Sequence, residues 1–158
     1  SMSKFRLDEV DHQILDMLID NTRVPFTDIA KKLLISAGTV HVRVKKMEDA
    51  GIILGSSLSI DYGKLDYHFT AFIGILLTKS NRTQEVLKEL TTIPNVIEAS
   101  VISGKYNIFC KVRAKNTEDA KRIIYQIDDI QDVMRTESMI SMEEYISDKN
   151  SLIDQGTI

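Results

Sequence analysis

Residues 36–53 read SAGTVHVRVKKMEDAGII. Within this stretch Val40, Val44 and Met47 recur at the four- and three-residue spacing that puts side chains on one face of a helix. Ser36 stands where an N-cap oxygen is needed, and Gly51 where a left-handed C-terminal cap is tolerated, so the helix is expected from Ala37 to about Glu48. Stepping about 100° per residue away from the apolar stripe puts Gly38, Val42, Lys45 and Lys46 on the opposite face. Thr39 lies beside them, and His41 and Arg43 lie on the two borders. From Lys31 to Lys46 there are five basic residues (Lys31, Lys32, Arg43, Lys45, Lys46) and no acid. A helix with an apolar underside and a cationic upper face is suited to a polyanion, because phosphate binding depends on local charge and counterion release.

Upstream, Asp8 caps a helix carrying Val10, Ile14, Leu15 and Leu18 on one face, which stops near Asp20-Asn21. Pro25 and Phe26 lead to Thr27, the expected N-cap of a second helix with Ile29, Ala30, Leu33 and Leu34. Only Ile35 then separates that helix from Ser36. Downstream, IILGSSLSI alternates around Gly55 and Ser56 as a β-hairpin would. Two short helices joined by a tight turn and followed by a hairpin make a winged helix-turn-helix over residues 4–61. In such a module the N-terminal end of the third helix faces the bases. Thr39 and Arg43 would read base edges, Val42 would touch a thymine methyl, and Gly38 would permit close approach. Lys45 and Lys46 suit phosphates, which position without specifying sequence. Ser36 is first a cap and second a phosphate ligand. Arg43 is equally suited to pairing with an acid of its own domain. The acids of the first helix (Asp8, Glu9, Asp11, Asp16, Asp20) are expected to sit away from phosphate.

Beyond the interruption DYGKLD at residues 61–66 the period changes. HFTAFIGILLT is apolar on both alternate faces, so both sides of its sheet must be covered. A helix with Val86, Leu87 and Leu90, the strand VIEASVI, a turn at Gly104, the strand YNIFCKV, a helix capped by Thr117 and a strand from Val133 to Met142 follow. This β-α-β-β-α-β order over residues 62–146 gives a ferredoxin-like plait with two helices on one sheet face. The other face needs a partner, and a second copy of the chain is the nearest candidate. The fold class is therefore α+β, and a polar tail, residues 147–158, is expected to fray. By residue type alone Gly104 marks a plain turn. Cys110 reads as a small core residue, and Met134, Met139 and Met142 as core by default, with adaptable interface packing the alternative.

Composition narrows the function. The 158 residues carry a net charge of −3 and are 43% hydrophobic. No apolar run reaches about 18 residues, so no membrane helix is expected. No apolar leader is evident, so a cytoplasmic protein is expected. The single cysteine excludes an internal disulfide, and with His12, His41 and His68 scattered no metal site is expected. No acid–base pair, nucleophile constellation or phosphate-cradling glycine loop points to catalysis, and no cofactor is expected.

LDEVDHQIL (7–15), Arg23, DIAKKL (28–33) and residues 36–53, together with VISGKYNIFCKV (101–112) and RTESMISM (135–142), resemble the leucine-responsive/asparagine-regulator (Lrp/AsnC) transcription regulators over nearly the whole chain. The resemblance implies a homodimer joined through its plaits, often assembled as an octamer, that binds double-stranded DNA. It also implies a small effector, an amino acid or a relative of one, bound near the glycine turn. Position by position, Gly104, Lys105, Tyr106 and Asn107 are the effector loop, and Thr136 and Ser138 are candidate wall residues. The family usually has aspartate where Asn107 stands, which removes a charge that would accept from an ammonium. Related proteins also include haem-pathway decarboxylases, the alternative from another functional class.

Overall fold

The computed structural model describes residues 5–154 together with 156 and 158. It divides into two compact units, one of residues up to Ser59 plus the segment from Ile146, the other Ile60–Tyr145.

In the first unit α1 spans Glu9–Asp20, α2 Phe26–Leu33 and α3 Ala37–Asp49. Asp8 and Asp11 form a reciprocal capping box at the start of α1: each side chain accepts from the other's backbone N–H. The second helix starts two residues earlier than expected. Pro25, with φ fixed at −63°, holds the N-cap position, and Thr27 lies inside the first turn without capping. Leu34 closes α2 in the left-handed conformation, and Ser36 caps α3 by accepting from the Thr39 N–H at 3.0 Å. Gly51 at φ 76° ends the module. Ile14, Leu15, Ile29, Ala30, Val40, Val44 and Met47 form the core of this unit. Each large side chain taken from water there contributes about 1.5–3 kcal/mol.

The hairpin expected in IILGSSLSI does not form within one chain. Residues 53–60 form no strand, and no backbone hydrogen bond joins the two pieces among the described residues. Leu54 and Leu58 are 93% and 79% exposed, so no buried face sets a register, and a two-stranded ribbon without one is marginal. The C-terminal segment also departs from a fraying tail. Ser151–Asp154 form a short helix, α6, against α1, and Ile153 packs on the unit's core.

The second unit is the plait: β1 Phe69–Leu77, α4 Thr83–Leu90, β2 Val96–Val101, β3 Ile108–Ala114, α5 Thr117–Asp128 and β4 Val133–Ile140. The four strands are antiparallel in the order β2-β3-β1-β4. Asn116, one residue before the expected Thr117, caps α5. Along β1, Ala71, Ile73, Ile75 and Leu77 point into the core under α4 and α5, as do Ile108, Cys110 and Val112 on β3. Phe72, Gly74 and Leu76 point to the face that carries no helix. The three methionines placed in the core by residue type are instead exposed: Met134, Met139 and Met142 lie on or just after the edge strand β4. No helix of the described residues is long and apolar enough to cross a membrane.

Candidate nucleic-acid interface and effector loop

The turn between α2 and α3 leaves the N-terminal half of α3 at the surface. Gly38, Val42, Lys45 and Lys46 are exposed, Thr39 and Arg43 are half-buried, and His41 lies edge-on to Phe26. Ser36, Gly38, Thr39, Val42, Arg43 and Lys46 line an open concavity of about 740 Å³. The Ser36 and Thr39 hydroxyls bond each other at 2.8 Å. A Cβ on Gly38 would meet only the Ser36 Oγ at 3.8 Å, so the fold itself does not require glycine there.

Arg43, for which two roles were open, is committed to its own unit. Its Nη1 donates to Asp8 and, at 3.2 Å, to Asp11. Asp11 is 5% exposed and is the one buried charged side chain of the described residues, so the guanidinium compensates a carboxylate that would otherwise be costly to bury. Hydrogen bonding to Arg43 holds the Asp8 carboxyl below its ordinary value, and the Arg43 pKa is raised by the same contact. Asp8 and Asp11 therefore do not lie away from the basic helix as expected; they line the concavity with it. Lys45 reaches Asp49 at 3.5 Å, an exposed pair one helical turn apart.

In the plait, Gly104 takes φ 115°, with nothing within 4 Å of where a Cβ would stand. Backbone geometry alone thus accounts for the glycine. Asn107 ties the loop to the sheet. Its Oδ1 accepts from the Leu77 N–H at 2.9 Å, and its own N–H donates to the Ile75 carbonyl at 2.9 Å. Accepting from a backbone N–H needs an oxygen and not a charge, so an amide fills this position as well as a carboxylate. The Tyr106 ring lies over Gly74, where a Cβ would sit 2.7 Å from it.

Strand register decides the remaining assignments. Ile75 pairs with Thr136 and Ile73 with Ser138, so both wall candidates face the helix side, and Thr136 donates to Asp128 of α5 at 2.6 Å. Gly74 pairs with Glu137, and Leu76 with Arg135, on the face bearing Tyr106. The structure therefore does not bring Thr136 and Ser138 to the loop; their neighbours Glu137 and Arg135 are there instead. The neighbouring Glu137 carboxylate raises the Tyr106 phenol pKa, against the charge of Arg135, and the phenol together with Lys105 and Arg135 lowers that of Glu137. Lys105 Nζ lies 3.8 Å from Glu137 and 5.6 Å from the Tyr106 ring centre. The loop thus presents a cation, an aromatic and a carboxylate side by side. A Gly inside a buried strand signals close approach of another group, and Gly74 was the available pointer to this cluster.

The winged helix-turn-helix DNA-binding family model matches residues 7–53, and the Lrp/AsnC ligand-binding domain model matches residues 70–151. The regulatory protein AsnC of Haemophilus influenzae is 37% identical over 141 residues, covering 89% of this chain and 94% of the relative. The chain belongs to the Lrp/AsnC family. It is a transcription regulator with a helix-turn-helix DNA-binding domain. AsnC of Escherichia coli K12 is 34% identical over 146 residues, covering 92% of this chain and 96% of the relative. The solved structure of E. coli AsnC superposes with a TM-score of 0.88 at 32% identity, covering 92% of this chain and 98% of that one. A Neisseria meningitidis regulator, solved as a complex with L-methionine, shares the fold at a TM-score of 0.83 and 17% identity, over 91% of this chain and 95% of that one.

Proposed function

We propose that this regulator reads DNA through the exposed face of α3, with the N-terminal end of the helix towards the bases, as a cytoplasmic homodimer or octamer, and that an amino acid sets its activity. The observation that carries the reading is the exposed row Gly38, Val42, Lys45 and Lys46 in front of a buried stripe, at the end of a tight two-helix turn. Val42 and Thr39 contact base edges, and Lys45 and Lys46 contact phosphates. The role is binding and not catalysis.

A second copy of the chain covers the open sheet face. Phe72 and Phe109 stack there at 6.0 Å, beside half-buried Leu76, with Lys111 and Glu98 around them. An apolar centre with a charged rim is the usual anatomy of an interface. Two α3 helices held at a fixed separation dock together only on half-sites of matching phase. The Lys105, Arg135 and Glu137 side chains supply both signs of charge needed for an amino acid's carboxylate and ammonium, and the L-methionine complex of the Neisseria relative favours that effector class. The effector acts only through its preference for one arrangement of the assembly.

Selection of bound fragments from the source genome, repeated with each amino acid added, tests the reading. A shared enriched sequence whose recovery changes with one amino acid is expected. No enrichment under any condition would reject it.

A further inference from the structure

Of the segment entering α1, Leu7 packs on the core of its unit and the two residues before it do not. Phe5 and Arg6 are exposed and line the same concavity as Ser36, Gly38, Thr39, Val42 and Lys46. Charge makes the placement consequential. Arg43, the one guanidinium on α3 itself, is turned inward by Asp8 and Asp11. Two carboxylates against one guanidinium leave a negative excess beside the helix that must approach a polyanion. Arg6 and Lys46 are the concavity's remaining cations, and neither has an ion-pair partner within the described residues.

From this arrangement we propose that Arg6 is a DNA phosphate ligand of this regulator, placed beside the N-terminal end of α3 by the arm that precedes α1, and that Arg43 is a positioning residue which joins α3 to the capping box of α1. A guanidinium on an exposed arm can meet a phosphate in bidentate fashion while α3 occupies the groove. The cost of releasing Arg43 to meet a phosphate would be an unpaired, buried Asp11. Arg6 has no such tie. The inference rests on α3 being the helix that meets DNA, and the experiment separates the two.

The full chain is titrated by fluorescence anisotropy against a mixed-sequence duplex of about three helical turns, between about 50 and 200 mM salt. Wild type is compared with Arg6→Gln, Lys46→Gln and Arg43→Gln, and each is also melted without DNA. Each phosphate contact contributes roughly 0.9 to the slope of log affinity against log salt. Arg6→Gln and Lys46→Gln are each expected to flatten the slope by about that amount per docked copy, about 1.8 for a dimer bound through both copies of α3, with affinity falling at least on the order of tenfold at low salt and melting unchanged. Arg43→Gln is expected to lower the melting temperature and to keep the slope of whatever binding survives. If Lys46→Gln flattens the slope and Arg6→Gln does not, the arm makes no phosphate contact and the inference is overturned. If Arg43→Gln flattens it, Arg43 is the ligand and the division of roles is wrong. Should none of the three alter the slope, the placement of α3 itself fails.

Discussion

Gly74→Ala tests the seating of Tyr106, on which the proposed effector loop depends. The new methyl would stand 2.7 Å from Cγ and Cδ2 of the ring, against the 3.4 Å at which ordinary contact begins, so the ring must retreat by about 0.7 Å. Rotation about the side chain does not relieve this, because Cγ is the ring atom nearest the backbone. The loop itself has to move, and it is held by the Asn107 N–H on Ile75 and the Asn107 side chain on Leu77. Overpacking of this kind costs about 1–3 kcal/mol. Replacing glycine returns about 0.4–1 kcal/mol through the unfolded chain. At the middle of both ranges the net loss is about 1.3 kcal/mol, equivalent to a fall of roughly 3–5 °C in Tm for a chain of this size. Urea denaturation of Gly74→Ala, Tyr106→Ala and the double variant measures it. The double variant should recover at least about 1 kcal/mol relative to the sum of the singles, since the alanine then has no ring to meet. A Gly74→Ala protein as stable as wild type, or strictly additive losses, would refute the reasoning.

Three further outcomes are expected. Leu34 sits at φ 58°, ψ 42° with its side chain 91% exposed, so it bears left-handed strain without the return of burial. Leu34→Gly should match or exceed wild-type stability by up to about 1 kcal/mol, whereas Leu34→Val should unfold at lower urea, because a β-branched residue fits that region least. The carboxyls of Asp8, Asp119 and Glu137 are lowered, chiefly by contacts with Arg43, the Lys115 N–H and Tyr106 respectively. Their stabilisation is present above the ordinary values of 3.8 (Asp) and 4.5 (Glu) and is lost as pH falls through the lower folded values. Thermal melts should therefore begin to fall only below about pH 4.5, with a shallower acid limb for Asp8→Asn; an unaltered limb would remove Asp8 from the account. Burial pushes the Cys110 thiol up from 9.0 to about 11. The unfolded thiol ionises first, so stability declines as pH rises from about 9 to 11, by about 3 kcal/mol in total, and Cys110→Ala should lack this decline. Iodoacetamide should label native Cys110 only as fast as the protein opens; rapid labelling at neutral pH would contradict its burial.

Much of the architecture was legible because period and caps are local properties. The stripe Val40, Val44, Met47 and the cap Ser36 defined α3, and the doubly apolar run around Ile73 defined the central strand of the plait. The failures arose where a longer-range partner decides. Thr136 and Ser138 were one residue out of phase with the loop. In a strand with a period of two, that shift turns a side chain to the opposite sheet face. Only the pairing of Gly74 with Glu137 settles which neighbours meet Tyr106. The hairpin read in IILGSSLSI had the right alternation and no core face to hold it. Arg43 shows the limit of helical stepping, which places a residue on a border but does not reveal that two acids from another helix converge on it. The spacing of Asp8 and Asp11, three residues apart at a helix start, was the local hint of a capping box. The methionines of β4 fit a core by residue type, but they lie at the edge of the sheet and are exposed.

Hydroxyl-radical footprinting of the purified regulator on a fragment recovered by genomic selection tests the central claim most directly. Two protected patches on one face of the duplex are expected, their centres separated by a whole number of turns of about 10 base pairs, and both should weaken together in Lys46→Ala. A single isolated patch, or protection that Lys46→Ala leaves unaltered, would contradict the claim that paired copies of α3 carry the recognition.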